Sequence, residues 1–473
     1  MSQAHSPSAV DDDSRASLRR GVYWLLAMIS IGAMVGRILA VNAVDKAALS
    51  ERLRAEGRDD WQRQRPFLSA NDRSRWCTVR ALVEHGTYAI DQVVTEPNWD
   101  TIDMVKHDGH LYSSKPPLLP TLLAAPYWVI HRLTGTTLAT HPYEIGRPFL
   151  VAVNVGGMAI YFFFMARIVE QLGTTDWGRV FVMACAAFGT FLTTFAVVIN
   201  NHLVAAVCTT VALYAALGIW YQGRRHAGWF AACGFFAAMA AANELPALSL
   251  LVGLGTALAW KAPREVLFAF TPAALVVVVA FFGTNYAAHG TLIPAYAHRG
   301  DGDNWYDYTY ESGGKVRESY WRNPGGIDGG ERSPARYALH VLVGHHGIFS
   351  LSPIWLLSVV GMGIAVVGRG SPTRALALFV ALISIACVTF YLTRPLGERN
   401  YGGMTSAFRW VFWLAPCWLA VMPPAADMLS RFGWARFTAL VCLAISVLSA
   451  NYPTWNPWSH PWPWNLLKYL GWM

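Results

Sequence analysis

The sequence predicts an all-α polytopic membrane protein, a bundle of about 11 transmembrane helices (roughly 10 to 13) with interfacial helices in its first outer loop. Composition is the first observation behind this fold class, because 54% of the 473 residues are hydrophobic and 14% are charged. The second is a series of apolar runs of about 20 residues, the length that crosses a hydrocarbon core of ~30 Å. The third is the basic residues in the short loops between runs, which signal topology.

The N-terminal end sets the orientation of the chain. Residues 1–20 are polar, contain Arg15, Arg19 and Arg20, and are predicted to be disordered and cytoplasmic. The first apolar run, 21–41, has full spanning length and no convincing cleavage site, so we interpret it as a helix and not as a signal peptide. The segment 43–146 then follows as a large outer loop, and its start, 45–65, has the composition of an interfacial helix.

Eleven further apolar runs follow, and the basic turns between them decide which ones cross. If the five basic turns near Arg167, Arg224, Lys261, Arg369 and Arg431 are all cytoplasmic, the run 116–133 is a re-entrant or interfacial helix. The alternative counts that run as a twelfth span and turns those loops outward. The other runs are 147–169, 179–199, 203–221, 227–242, 245–260, 266–285, 347–367, 375–392, 410–427 and 437–451. We expect a tight helical hairpin around residues 243–246.

On this topology every large polar segment lies on the outer face. An arrangement of this kind is typical of a membrane protein that carries out chemistry at one surface, whereas a transporter more often shows internal repeats with broken helices. We find no such repeat. The net charge of +8 falls largely in short loops, so nucleic acid is not an expected partner. The outer segments are 43–146, 200–202, 243–244, 286–346, 394–409 and the tail from 452.

Two of these segments carry a family resemblance. The pattern Asp72-x-x-Arg75-Trp76, followed by Lys115-Pro116-Pro117-Leu118, resembles the first outer loop of the integral-membrane GT-C glycosyltransferases. The branch it is similar to contains the protein O-mannosyltransferases and the lipid A aminoarabinose transferases. The segment 400–410, with the pattern Gly-Gly-x-x-Ser-x-x-Arg ending at Arg409, looks like a segment of related multispan transferases.

The resemblance implies a GT-C-type bundle and a reaction. Its catalytic module would span 21–285, followed by the outer loop 286–346, the C-terminal helices 347–451 and the Trp- and Pro-rich outer tail 452–473. The donor would be a sugar on polyprenyl phosphate, transferred with inversion at the extracytoplasmic face of the inner (plasma) membrane. The acceptor would be a lipid, a protein or a glycan, with membrane lipids as further partners.

The same resemblance assigns Asp72 as the catalytic base and Lys115 as a ligand of the donor phosphate. Elementary chemistry agrees, because a carboxylate can accept the proton of an attacking hydroxyl and cations stabilise a departing phosphate. Proline after Lys115 biases that residue to an extended backbone at the membrane surface. We assign substrate binding to polar residues of the outer segments: Arg75, Lys115, Asn201, His202, Glu244, Arg399 and Arg409.

Simpler structural roles remain open for these residues. Asp72 would cap a helix beginning near Ser74, Arg75 would pair with Asp72 or Glu84, and Lys115 would anchor at the interface. Glu244 would cap its hairpin turn. The tryptophans of the tail would form an aromatic belt or stack on sugar rings.

The sequence departs from the family pattern in ways that bear on metal. The family's Glu after the first Asp is Arg73 here, the acid often found before Lys-Pro is Ser114, and 200–202 replaces an outer-loop acid. Binding of a metal through paired acids is therefore not supported and no cofactor is certain, but a divalent metal stays open as an alternative. Two other classes of function stay open, namely a transporter or flippase for lipid-linked sugars and a non-catalytic membrane scaffold.

Overall fold

The structure is a computed structural model that describes residues 9–472 except 56, 58–66, 97–98, 301, 313 and 455, and omits the side chains of 9–12 and 41–53. It is mostly helical. The helices are α1 (Ala9–Ala55), α2 (Ala70–Arg80), α3 (Asp91–Thr95), α4 (Leu118–Thr134), α5 (Pro142–Leu150), α6 (Gly156–Leu172), α7 (Asp176–Phe188), α8 (Asn201–Gln222), α9 (Ala227–Asn243), α10 (Leu248–Lys261), α11 (Pro263–Glu265), α12 (Thr271–His289), α13 (Pro334–Leu342), α14 (Ile348–Leu351), α15 (Ile354–Val367), α16 (Arg374–Leu392), α17 (Ala415–Val421), α18 (Pro423–Leu429), α19 (Gly433–Asn451) and α20 (Trp462–Tyr469).

Six stretches of helix in the described residues are long and apolar enough to cross a membrane, and a bent pair, Arg409–Val421 with Pro423–Leu429, is a seventh if counted as one span. This fits an all-α membrane protein. The count of about 11 spans is not confirmed, because several apolar runs form shorter helices such as α9, α10 and α15. The six are Asp13–Ala40, Pro142–Leu172, Asn201–Gln222, Pro263–His289, Arg374–Leu392 and Gly433–Asn451.

Two segments of the predicted topology can be compared directly with these helices. The run 116–133 forms α4, a helix of 17 residues with Pro126 inside it, which is shorter than a full span. The predicted hairpin at 243–246 is a break between α9 and α10, where Glu244 has an extended backbone and a short 3₁₀ turn follows.

The N-terminal segment differs from the disorder predicted for residues 1–20. Helix α1 begins at Ala9 and runs without interruption into the first span, while residues 1–8 lie outside the described part. Arg19 Nε donates to Glu170 at 2.6 Å, and the hydroxyl of Tyr23 donates to the same carboxylate at 2.7 Å. These bonds to α6 give the arginine a partner that the sequence alone does not reveal.

Three small hairpins interrupt the helical bundle in the described part of the chain. They are β1 (Met104–His107) with β2 (His110–Ser113), β3 (Arg299–Gly300) with β4 (Asp303–Asn304), and β5 (Thr309–Ser312) with β6 (Lys315–Glu318). The β1–β2 turn is Asp108-Gly109, with φ of 48° and 85°. An Asp-Gly pair is a strong hairpin signal because it accepts positive φ at both positions, so the sequence contained this element although we did not predict it.

Helix α2 anchors the first outer loop in the protein interior, even though its sequence is polar. Residues 71–80 are all buried, and Trp76 stacks on Phe67 with ring centroids 4.7 Å apart. Arg80 donates to Glu84 at 2.8 Å and to Glu96 at 2.7 Å, which compensates its burial. This helix therefore holds its neighbouring polar residues in a defined position.

Candidate functional site

A cavity of about 730 Å³ lies where the outer polar segments meet. All six segments predicted for the outer face contribute to its wall, so the structure brings them together. Its polar and aromatic lining includes Asn71, Arg75, Asp103, Lys115, Asn201, His202, Glu244, Tyr296, Arg299, Tyr306, Trp321, Asp328, Tyr391, Arg394, Glu398, Arg409, Trp410 and Trp458.

Six of the eight predicted site residues line this cavity, and two do not. Asp72 and Arg399 are absent from the wall. The six are Arg75, Lys115, Asn201, His202, Glu244 and Arg409.

Asp72 lies behind the cavity wall. It is 1% exposed, and its Oδ1 accepts the backbone N–H of Ile199 at 3.0 Å. The capping alternative also fails, because α2 begins at Ala70 and its cap is Ser69, whose Oγ accepts from the N–H of Asp72. Burial raises the pKa of the Asp72 carboxyl to about 7. The geometry thus gives Asp72 a structural contact and no access to a substrate in this cavity.

Arg399 makes structural hydrogen bonds away from the cavity. Its Nη1 donates to the carbonyl of Arg332 at 3.1 Å, and its own carbonyl accepts from the N–H of Glu331 at 2.8 Å. These bonds tie the segment after α16 to the end of the loop 286–346.

Lys115 is paired with an acid that sequence reasoning missed. Its Nζ donates to Asp103 Oδ1 at 2.9 Å. The register of the β1–β2 hairpin pairs Met104 with Ser113, which brings the residues flanking its open end together. Recognising the Asp108-Gly109 turn would have predicted this proximity.

The pair of Lys115 and Asp103 is electrostatically coupled. Burial by itself would raise the pKa of the Asp103 carboxyl, but the Lys115 ammonium together with the charges of Arg409 and Arg75 holds this pKa below its usual value. Burial, with the positive charge of Arg75, lowers the pKa of the Lys115 ammonium to about 8. The Lys115 side chain therefore remains mostly protonated at neutral pH and loses its charge as the pH rises through about 8.

Arg75 makes neither of the ion pairs considered for it. Its Nη1 donates to the carbonyl and side-chain oxygens of Asn71 at 3.0 and 2.5 Å, and its Nη2 donates to Asn201 Oδ1 at 2.5 Å. Burial, together with the charge of Arg409, lowers the pKa of the Arg75 guanidinium to about 10. All of these hydrogen-bond partners are neutral, so the positive charge of Arg75 is available to an anion.

Arg409 is held by the Gly-Gly segment and by the C-terminal tail. Its Nε and Nη2 donate to the carbonyl of Gly402 at 3.1 and 2.8 Å, and its guanidinium carbon lies 4.7 Å from the ring centroid of Trp458. Gly402 has φ of 93°, and a Cβ there would come within 3.3 Å of Arg409 Nε. The glycine therefore permits a backbone approach that a side chain would obstruct. Buried Trp458 supports the arginine, a role that neither the aromatic-belt nor the sugar-stacking interpretation included.

Glu244 is connected to Arg75 and Arg409 through Asn201 and His202 at the start of α8. Asn201 Nδ2 donates to Glu244 Oε1 at 2.6 Å, and His202 Nδ1 contacts the same oxygen. Asn200 caps α8 by accepting from the N–H of Leu203 at 2.8 Å, which orients the two residues that follow. Burial raises the pKa of the Glu244 carboxyl to about 8.

The loop 286–346 contributes several residues to the cavity wall. Trp305 is stacked between two imidazoles, His107 at 3.9 Å and His298 at 3.8 Å between centroids. The N–H of Lys106 donates to the carbonyl of Trp305 at 2.9 Å. These contacts attach the loop to the β1–β2 hairpin of the first outer loop.

His202 is separated by the fold from the adjacent pair His345 and His346, whose Nδ1 atoms lie 2.5 Å apart. Among the described residues, no group of three or more His, Cys, Asp or Glu side chains has the geometry to hold a metal ion. His202 lines the cavity, whereas His346 stacks on Tyr401 at 5.2 Å and contacts the carbonyl of Thr405 through Nε2 at 3.1 Å.

Similarity to known proteins adds no family assignment to this geometry. No protein-family model, no curated protein and no solved structure matches the chain.

Proposed function

We propose that this protein is an integral-membrane glycosyltransferase of the GT-C type, which moves a sugar from a polyprenyl-phosphate donor to an acceptor hydroxyl with inversion. We place the reaction at the extracytoplasmic face of the membrane. The observation that carries the proposal is the cavity in which Arg75, Lys115 and Arg409 meet from three separate segments of the chain.

These three cations suit a phosphate that gains charge during the reaction. Arg75 is buried, and Lys115 and Arg409 are partly buried, so their fields are weakly screened by water. A sugar phosphodiester carries one negative charge, and cleavage of its bond to the sugar leaves a monoester that approaches two. Donors fixed in advance around such a group stabilise the transition state more than the ground state.

The balance of charge in the cavity also favours an anionic ligand. Among the described residues, five cations line the cavity against four acids. Lys115 pairs with Asp103, and Arg394 pairs with Glu398. Arg75 and Arg409 have no carboxylate within ion-pairing distance among the described residues, which supports their role as the phosphate ligands.

An apolar part of the wall suits the polyprenyl chain. Leu245, Phe390 and Met404 line the cavity, and their side chains are 51%, 38% and 51% exposed. Exposed large apolar side chains next to a charged centre are what an amphipathic, lipid-linked donor requires. They also give the donor a route from the lipid phase into the site.

The experiment uses the purified full-length protein in vesicles with a panel of polyprenyl-phosphate sugars. Mass spectrometry would detect released polyprenyl phosphate and sugar-modified acceptors, guided by glycolipids and glycoproteins that differ between cells with and without the protein. We expect transfer that Arg409→Gln reduces by about 10-fold or more, because a charged hydrogen-bond donor to phosphate is lost. Arg436→Gln, a change at an exposed arginine of α19, is the matched control.

Two other outcomes would identify the alternative classes. Movement of labelled lipid-linked sugar across the vesicle without transfer would indicate a flippase. If the protein neither transfers the sugar nor moves the lipid across the vesicle, the enzyme is rejected and a non-catalytic scaffold remains, whether or not the donors bind.

A further inference from the structure

We infer that Glu244, held by Asn201 and His202, is the residue that takes the proton of the acceptor hydroxyl. This inference rests on the proposed glycosyl transfer and replaces the role that the sequence suggested for Asp72.

Four acids line the cavity in the described part of the chain, and they differ in their partners. Asp103 is neutralised by Lys115 at 2.9 Å, and Glu398 pairs with Arg394. Such ion pairs stabilise the charged carboxylate and weaken it as a base. Glu244 and Asp328 are the two whose side-chain hydrogen-bond partners are neutral.

The surroundings of Glu244 and Asp328 separate the two candidates. Asp328 accepts from the hydroxyl of Tyr320 at 3.0 Å and lies in a short 3₁₀ turn of the outer loop. Glu244 is 4% exposed and lies at a helix break, where its N–H donates to the carbonyl of Ala240 at 2.8 Å. A group on a rigid element is held closer to a productive geometry than one on a surface loop.

The contacts of Glu244 leave one oxygen for catalysis. Asn201 and His202 both approach Oε1, and no described residue donates a hydrogen bond to Oε2. Oε2 is therefore the atom to which an acceptor hydroxyl can transfer its proton. The carboxyl pKa, raised by burial to about 8, matches this task near neutral pH.

His202 links this base to the phosphate site and has a defined tautomer. Arg409 Nη1 lies 2.7 Å from His202 Nε2, and a guanidinium can only donate. Nε2 must then be the acceptor, which places the ring proton on Nδ1, facing Glu244. A neutral imidazole in this position orients the carboxylate. Asn201 links Glu244 to Arg75 in the same way, because its Oδ1 accepts from Arg75 and its Nδ2 donates to Glu244.

The proposed step balances in atoms and charge. The acceptor oxygen forms a bond to the anomeric carbon as the bond between that carbon and the phosphate oxygen breaks. The hydroxyl proton passes to Glu244 Oε2, and the bonding electrons leave with the phosphate, which Arg75, Lys115 and Arg409 retain. Glu244 then releases its proton to water once the product has left.

The test measures a single turnover at saturating donor from pH 6 to 9, with donor affinity measured separately. For the wild type we expect a rate that rises with pH until Glu244 is ionised. Glu244→Gln should lower the rate by about 100-fold or more, abolish that rise and leave donor affinity within about 3-fold. Glu311→Gln, at an exposed strand position, is the matched control.

A second variant keeps the test valid if Glu244→Gln fails to fold. Glu244→Asp withdraws the carboxylate by about 1.5 Å, so the rate should fall while its rise with pH persists. A wild-type rate in Glu244→Asp would overturn the inference. The inference would also be overturned if Glu244→Gln kept a rate within 10-fold of wild type that still rises with pH. Loss of the rise with pH in Asp328→Asn, and not in Glu244→Gln, would overturn it too.

These outcomes separate the inference from the proposed function. A wild type that transfers no sugar and releases no polyprenyl phosphate rejects the function, and the role of Glu244 falls with it. A wild type that transfers sugar, with Glu244→Gln equally active, rejects the role of Glu244 alone.

Discussion

Oδ1 of Asp72 accepts the backbone N–H of Ile199 at 3.0 Å, which joins the first outer loop to the segment that leads into α8. Asn201 and His202 are the first two residues of that helix. The contact therefore sets where both lie relative to Arg75, which is on α2 with Asp72. We therefore expect Asp72 to act as a positioning residue, and its substitution to have effects that differ from those at a catalytic base.

Substitution of Asp72 separates the two roles. Asn keeps an oxygen that can accept from Ile199, so we expect Asp72→Asn to transfer sugar within about 10-fold of wild type. Asp72→Leu leaves the buried N–H unpaired, which costs about 1–3 kcal/mol, and should lower both melting temperature and transfer. A 100-fold loss of transfer in a stable Asp72→Asn protein would instead return the role of base to Asp72.

The pH dependence of stability gives an independent test of Asp72. Its pKa is raised in the folded protein, from 3.8 to about 7, so the protonated form favours folding. The stability that this group contributes is complete below pH 3.8 and is lost as pH rises through 7. The melting temperature of Asp72→Asn should therefore gain on that of wild type as pH rises from about 4 to about 7. Parallel curves would contradict the raised pKa.

Lys115 is predicted to bind the donor phosphate. Lys115→Ala should weaken donor binding by about 10-fold or more, and Lys115→Arg should restore it only in part, because a guanidinium differs in shape and hydration. Since the pKa of this ammonium is about 8 without ligand, wild-type affinity should decline above pH 8. Direct binding of a radiolabelled donor measures both effects. Unchanged affinity in Lys115→Ala would make the residue an interfacial anchor.

Arg409 and Arg399 form a matched pair ten residues apart. Arg409→Lys loses the fork that holds Gly402 and His202, so donor affinity and turnover should both fall by about 10-fold. Arg399→Lys changes a residue outside the cavity wall, and its donor affinity should stay within about 2-fold of wild type. Equal losses in the two variants would show that the cavity boundaries are wrong.

Thiol labelling tests the predicted orientation. Six of the seven native cysteines are buried, so an introduced one dominates labelling. Lys315 on β6 and Gln222 at the end of α8 are both exposed, so a difference in labelling reports the side of the membrane and not burial. With an impermeant reagent outside, Lys315→Cys should react and Gln222→Cys should not. Reaction at both positions from outside would contradict the topology drawn from the basic turns.

The sequence by itself determined the class of the protein and the set of polar segments that meet. Composition and the length of apolar runs reflect the energetics of transfer into a membrane, which act residue by residue and need no tertiary contacts. The same energetics helped to identify the six of the eight proposed site residues that line the cavity. Lys115, Glu244 and Arg409 stand out as charges next to apolar runs, where an ionisable side chain is costly without a function.

Tertiary structure alone decided which way the individual side chains point. Asp72 and Arg75 are three residues apart on α2, yet one contacts Ile199 behind the wall and the other faces the cavity. Their directions depend on where the helix starts, at the cap Ser69, and on which neighbours pack against each face. Glu244 gained its partners from α8, more than 40 residues earlier in the chain. Long-range packing of this kind leaves no local pattern, so it was visible only once the helices were assembled.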